Sequence, residues 1–200
     1  MSIHLKIHDI SLFNSLDKKF DGKLRQIFES YESSIGGTDM GMGAFLHTSE
    51  WIILVFEGGF LSDHIIGFIL GTSKFHQELI FEGEKVFLVE AAFIQDDKRD
   101  PGHAFAISKV FVELLIKEGF NRLELFHPMP GMLTAKGRKL AQTFAKIIWR
   151  VYGKEKRKLN DPRFAGNINT IFLTPEIYIQ HAENERSKPR SWFSRLFRRK

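Results

Sequence analysis

The chain has 200 residues, 43% of them apolar and 26% charged, the make-up of one globular domain with enough apolar surface for a core. It has no cysteine, which excludes disulfides, thiolate catalysis and cysteine-rich zinc sites. The formal charge of +5 belongs to one end: residues 186–200 hold seven Lys and Arg and no acid, and without those seven the 29 basic residues become 22 against 24 acidic ones. A body near −2 does not present the basic face expected of a nucleic-acid binder.

In chain order, His4 to Ile10 alternates as a first strand. Ser11 is then a candidate cap for a helical stretch with apolar positions Phe13, Leu16, Phe20, Leu24, Ile27, Phe28 and Tyr31, which Asp21-Gly22 would split in two. Ile35 to Gly43 holds four glycines in nine residues and reads as a loop; its spacing does not fit a dinucleotide fingerprint. Trp51–Glu57 and His64–Thr72 flank Gly58-Gly59-Phe60-Leu61-Ser62-Asp63 as an antiparallel hairpin, and Lys85 to Ile94 is a third strand of this group.

That strand leads into Gln95-Asp96-Asp97-Lys98-Arg99-Asp100-Pro101-Gly102-His103-Ala104. A helix with apolar positions Phe105, Ile107, Val110, Phe111, Leu114 and Leu115 follows and stops at Gly119. A strand, a small-residue turn and a helix together aim backbone N–H groups at an anion. Glycine permits close approach, alanine adds little bulk, and the helix start carries about half a positive charge. A pyrophosphate would suit it; the plainer reading is a glycine that only relieves crowding at the turn. A strand from Arg122 to Phe126 comes next.

At these residues the chain resembles the GNAT superfamily of acyl-CoA N-acyltransferases. The likeness rests on Arg99-x-x-Gly102-x-Ala104, which fits that family's coenzyme-binding turn, on its place between strand and helix, and on the hairpin with Ile66-Gly67-Phe68-Ile69 before it. The resemblance implies an α/β fold with a mixed, mostly antiparallel central sheet flanked by helices over residues 1–180, with residues 181–200 as a separate basic tail. It also implies acetyl-CoA, or another acyl-CoA, as co-substrate and no metal, with an amine on a small molecule or protein as acceptor. Arg99, Asp100, Gly102, His103 and Ala104 would surround the pyrophosphate, although Pro101 offers no amide and Asp96, Asp97 and Asp100 oppose an anion.

Direct attack by an amine calls for a base. Glu90, on the strand before the turn, is one candidate; it also reads as a carboxylate on a solvated strand face or in an ion pair. His127 is a second candidate and equally an ordinary loop histidine. The family often protonates the leaving thiolate with a tyrosine near the helix after its fifth strand, but Leu133 to Phe144 has none, and Tyr152 lies further on, in what reads as a strand from Ile147. The alternative is therefore a GNAT-like binding or structural module that no longer catalyses.

Other chemistries find no motif: there is no His-Glu-x-x-His, Gly-x-Ser-x-Gly or Walker loop, and His4 and His8 would share a strand face without a third ligand. A basic cluster, Lys154 to Arg163, reads as a loop before a last strand, Ile171 to Leu173, with a short helix near Pro175 to Ala182 after it. In the tail, Trp192, Phe193, Leu196 and Phe197 would form one helical face flanked by Arg190, Arg195, Arg198 and Arg199. Such a segment suits an anionic membrane surface, a protein groove or nucleic-acid phosphates, and a disordered solubilising tail is the alternative. The N-terminal residues lack a signal pattern and no apolar run approaches the ~20 residues that span a bilayer, so the expected location is cytoplasmic, peripheral at a membrane if the tail binds one.

Overall fold

The computed structural model describes residues 2–35, 46–58, 64–73, 83–99, 101–125, 146 and 170–173. Among these, six strands form one sheet in chain order: β1 Ile3–Asp9, β2 Trp51–Glu57, β3 His64–Thr72, β4 Val86–Ile94, β5 Arg122–Leu125 and β6 Thr170–Phe172. All neighbours run antiparallel except β4 and β5, which are parallel. Among the described residues the helices α1 Phe13–Lys19, α2 Lys23–Ile35 and α3 Pro101–Lys117 pack with the sheet. The connection between the parallel strands is α3, as a parallel pair requires a crossover.

β2 and β3 are buried along almost their whole length, so their side chains divide between two cores rather than between core and water. On one face Ile52, Leu54, Phe56, Phe68 and Leu70 pack with Phe13, Leu24, Ile27 and Phe28 of α1 and α2. On the other Ile53, Val55, Ile69, Phe87 and Leu123 pack with Ile107, Phe111, Val112 and Leu115 of α3. The result is a helix, sheet, helix sandwich.

The alternation along β4 breaks once. Phe87 and Val89 belong to the α3 core, whereas Ala91 and Phe93, two and four residues further, belong to the α1/α2 core. The switch is a β-bulge: Leu70 pairs with Ala91 and Gly71 with Val89, which leaves Glu90 as the extra residue on β4. Two strand contacts support this register. A Cβ at Gly67 would run into the Phe93 carbonyl, and one at Gly71 into the Phe87 ring, so both close approaches depend on glycine.

The helical stretch is split as its Asp-Gly suggests, with Asp21 at φ 53° and Gly22 at φ 76°. Asp17 then caps the second half, its carboxylate accepting from the Arg25 amide at 2.9 Å. The cap assigned to Ser11 is corrected. Asp9 does that work, accepting from the Ser11 amide at 2.8 Å and opening a 3-10 turn, Ile10–Leu12, before α1. The aspartate sits one residue before that turn, where its short side chain reaches forward to an amide of the turn's first residues; Ser11 is already inside it. Helix α3 starts at Pro101, so Gly102, His103 and Ala104 form its first turn rather than a loop before it. Proline suits that position because the first-turn amide has no intrahelical acceptor to lose. Gly119, at φ 79°, ends the helix as expected.

The glycine-rich segment after Ile35, the hairpin turn 59–63, the expected helix Leu133 to Phe144, the strand Ile147 to Tyr152, the cluster Lys154 to Arg163, the helix Pro175 to Ala182 and the tail 181–200 lie outside the described residues. No described helix is long and apolar enough to cross a membrane.

Candidate active site

Of the described sequence candidates, Arg99, Gly102, His103 and Ala104 gather where β4 passes through a turn into α3, while Glu90 sits midway along β4 at the bulge. The parallel ladder runs from Val86 beside Arg122 to Val89 beside Leu125. Glu90 is the next residue of β4, at the place where the strand changes its facing. From Ile94 the chain turns through Gln95, whose amide donates to the Ile66 carbonyl at 2.9 Å, and a 3-10 turn, Asp96–Lys98, before α3 begins. Pro101 and Gly102 are exposed there and Ala104 is half-buried, so small residues cover the positive end of the helix.

The basic side chains of the turn have protein partners. Arg99 donates through Nε to the Ile94 carbonyl at 2.5 Å and pairs through Nη1 with Asp96 at 2.6 Å, its guanidinium lying 4.6 Å from the centre of the Phe93 ring. Its amide donates to the Asp96 carbonyl. Lys98 Nζ lies 2.6 Å from Glu57 Oε2, and His103 Nε2 lies 2.9 Å from Glu57 Oε1. Glu57, the last residue of β2, thus ties the turn and the first turn of α3 to the far side of the hairpin. In this arrangement Arg99 braces the 3-10 turn and the His103 side chain faces Glu57. Arg99 Nη2 is buried without a hydrogen-bond partner among the described residues.

The Glu57 contacts have a pH signature. The Lys98 hydrogen bond, then the one from His103, hold the Glu57 carboxyl below its ordinary 4.5. The same bond to Glu57 holds Lys98 above its ordinary 10.5. A lowered carboxyl contributes stability above its unfolded value and loses it as pH falls through the folded one; a raised ammonium contributes below its unfolded value and loses it as pH rises through the folded one. The clamp is therefore intact between those two ordinary values. Thermal unfolding of Glu57→Gln should show a deficit against the wild type across that window, closing at both ends. Parallel curves throughout would show that the clamp does not hold the turn.

Glu90 is half-buried and accepts a hydrogen bond from Ser49 Oγ at 2.5 Å. Sequence reasoning missed both Ser49 and Glu57. The first sits in an unpatterned lead-in to β2 and the second at a strand end, where a glutamate normally signals only solvent. Their partners are 41 and 46 residues away, so no local spacing reveals them. Asp100, His127 and Tyr152 lie outside the described residues.

The His4 ring stacks on Phe56 at 4.9 Å, and burial, followed by Lys19 and Lys6, pushes His8 below its ordinary value. Among the described residues no group of three or more His, Asp or Glu is placed to hold a metal.

No protein-family model matches the chain, and no curated protein matches it. Solved structures similar to it include acetyltransferases. One is a ribosomal-protein-alanine N-acetyltransferase from Brucella melitensis biovar Abortus 2308, at 15% identity and TM-score 0.43 over 71% of this chain and 89% of that one. Another is an aminoglycoside acetyltransferase from an uncultured soil metagenomic sample in complex with sisomicin, at 10% identity and TM-score 0.45 over 73% of this chain and 86% of that one. A third is the aminoglycoside acetyltransferase AAC(6')-Ib in complex with coenzyme A and kanamycin, at 12% identity and TM-score 0.44 over 74% and 83%.

Proposed function

We propose that this chain is an acyl-CoA-dependent N-acyltransferase that moves an acyl group, acetyl in the simplest case, from the coenzyme thioester to an amine. The observation that supports the reading is the position of Glu90, a half-buried carboxylate at the bulge where the parallel ladder stops, on the strand that leads through the 3-10 turn into the Gly102-x-Ala104 start of α3. In this reading the first turn of α3 receives the pyrophosphate on its backbone amides, and the thioester lies along β4. The amine attacks the thioester carbonyl, the C–N bond forms as the C–S bond breaks, Glu90 takes the amine proton, and the coenzyme leaves as thiolate and is protonated to the thiol. The acceptor is an amine-bearing small molecule or protein. His103 contributes by holding the helix start to Glu57 rather than by touching phosphate.

A second reading, a GNAT-like module that binds partners without catalysis, draws support from the same turn. Lys98, Arg99 and His103 are already engaged by Glu57 and Asp96, and Leu133 to Phe144 offers no tyrosine.

Calorimetric titration of acetyl-CoA and CoA separates the two. Wild type should bind in the micromolar range typical of enzyme substrates, and Gly102→Glu should bind at least about tenfold more weakly, because a carboxylate there occupies the anion's place. The variant is informative because Gly102 is exposed in the first turn of a helix, where an acidic side chain favours the helix dipole. A folded wild type that binds neither ligand would sink the enzyme reading.

A further inference from the structure

The contact between Ser49 and Glu90 is built with more care than a chance surface pair. Ser49 is 2% exposed. Its neighbour Glu50 is fixed to the end of β3: the Glu50 amide donates to the Gly71 carbonyl at 2.9 Å, and its carboxylate accepts from Thr72 Oγ1 at 3.2 Å, from the Ser73 amide at 2.5 Å and from Ser73 Oγ at 2.7 Å. Gly71 also pairs with Val89 on its other side. Glu50 and Val89 therefore grip the same residue of β3 from opposite edges, and the residues next to them, Ser49 and Glu90, meet across that strand. The bulge is needed for this, since it is Glu90 that the register leaves over.

We propose that Ser49 is a positioning residue for Glu90, fixing the carboxylate's orientation and favouring its ionised form through a donated hydrogen bond. The kinetic part of the proposal rests on the N-acyltransferase reading; the part concerning the carboxylate does not. A short O–H···O⁻ bond to a half-buried carboxylate is among the stronger neutral-to-charged contacts, and it selects the charged form. That is the form a base must have before the amine arrives. Glu50 is held by Thr72 and Ser73, Glu124 on β5, which pairs beside Leu88, lies 3.2 Å from Arg122 Nε, and Tyr31 of α2 packs its ring on Phe68 and Phe93, its hydroxyl pushed up to about 12, mainly by burial.

The test is carboxyl NMR of the full chain labelled at glutamate side chains, with the Glu90 signal assigned by its loss in Glu90→Gln. Ser49→Ala removes one atom from a buried site and leaves the backbone bonds of Glu50 in place. Its Glu90 titration midpoint should rise by about one pH unit, and Ser49→Thr, which restores a hydroxyl, should return it toward the wild-type value. Once a turnover assay is in hand, the acid limb of kcat/KM should move up by the same amount in Ser49→Ala. An unmoved midpoint in folded Ser49→Ala overturns the proposal outright. A moved midpoint with an unmoved rate profile overturns Glu90 as the base, and with it the kinetic role of Ser49. Absence of acetyl-CoA binding by wild type is a separate failure, read in the earlier calorimetry.

Discussion

Glu90→Gln is expected to lower kcat by roughly 10²–10⁴-fold, the range that a positioned proton acceptor supplies, while leaving acetyl-CoA affinity within a few-fold of wild type. Glutamine has the shape of glutamate and keeps a carbonyl oxygen to accept the Ser49 Oγ hydrogen bond. The bulge and the core on either side of it should therefore survive the exchange, and what is lost is basicity alone. The affinity should hold because the residues assigned to the phosphate side, Gly102 and Ala104, belong to α3 and not to the bulge. The deficit should shrink as pH rises, since an acceptor amine that is already neutral in solution needs less help in losing its proton. Transfer rates to a panel of primary amines across pH, beside calorimetry with the coenzyme, measure both halves. A variant within about threefold of wild type at neutral pH would remove Glu90 from the chemistry.

How far the sequence revealed this arrangement depended on the range of the interaction concerned. The hairpin could be read to the residue, because Trp51–Glu57 and His64–Thr72 are apolar but for Glu57, His64 and Thr72 at their ends, and the chain between them is rich in turn formers. The division of α1 from α2 was legible in Asp21-Gly22, two adjacent positions that adopt positive φ. The Ser11 cap failed by two residues, a local error in which a neighbouring Asp offered a better acceptor. The start of α3 failed differently. Pro101 and Gly102 read as turn chemistry, yet proline at the first helical position loses nothing, and the apolar core under Ile107 and Phe111 carries the helix back to it. Glu90 could be placed on its strand but not in its bulge, for a bulge is a property of the pairing: only the shift between Leu70 and Gly71 shows which residue of β4 is left over. The Glu57 and Ser49 contacts are more remote still. They link positions that topology brings together, and no periodicity encodes them.

The same kind of hidden pairing governs the most severe loss of stability expected, that of Arg122→Met. Arg122 opens β5, its side chain 3% exposed, with Nη1 3.0 Å from Glu84 Oε1 and Nε 3.2 Å from Glu124 Oε1. The Glu84 side chain is fully buried and that of Glu124 is 14% exposed. One guanidinium thus serves two carboxylates that water hardly reaches. Removing the cation takes the Arg122 charge away from both, and breaking a buried pair in this way typically costs about 3–5 kcal/mol. Glu84→Gln should cost less, because Arg122 keeps Glu124 and the amide oxygen still accepts a hydrogen bond. If desolvation dominates, the double variant Glu84→Met with Arg122→Met should recover the part of the loss that comes from Glu84, since the fully buried carboxylate is gone and Glu124, which is 14% exposed, alone lacks the guanidinium. Urea unfolding of the three variants gives the decision. A double variant as unstable as Arg122→Met would mean that the pair is kept for shape, holding Glu84 beside the start of the parallel ladder, and not for its charge. Ordinary stability in Arg122→Met would mean that solvent reaches Glu84 freely. The prediction has structural weight because Arg122 is the first residue of the β4–β5 ladder, paired with Val86. Loosening that end removes the fixed base from which the strands run toward Glu90.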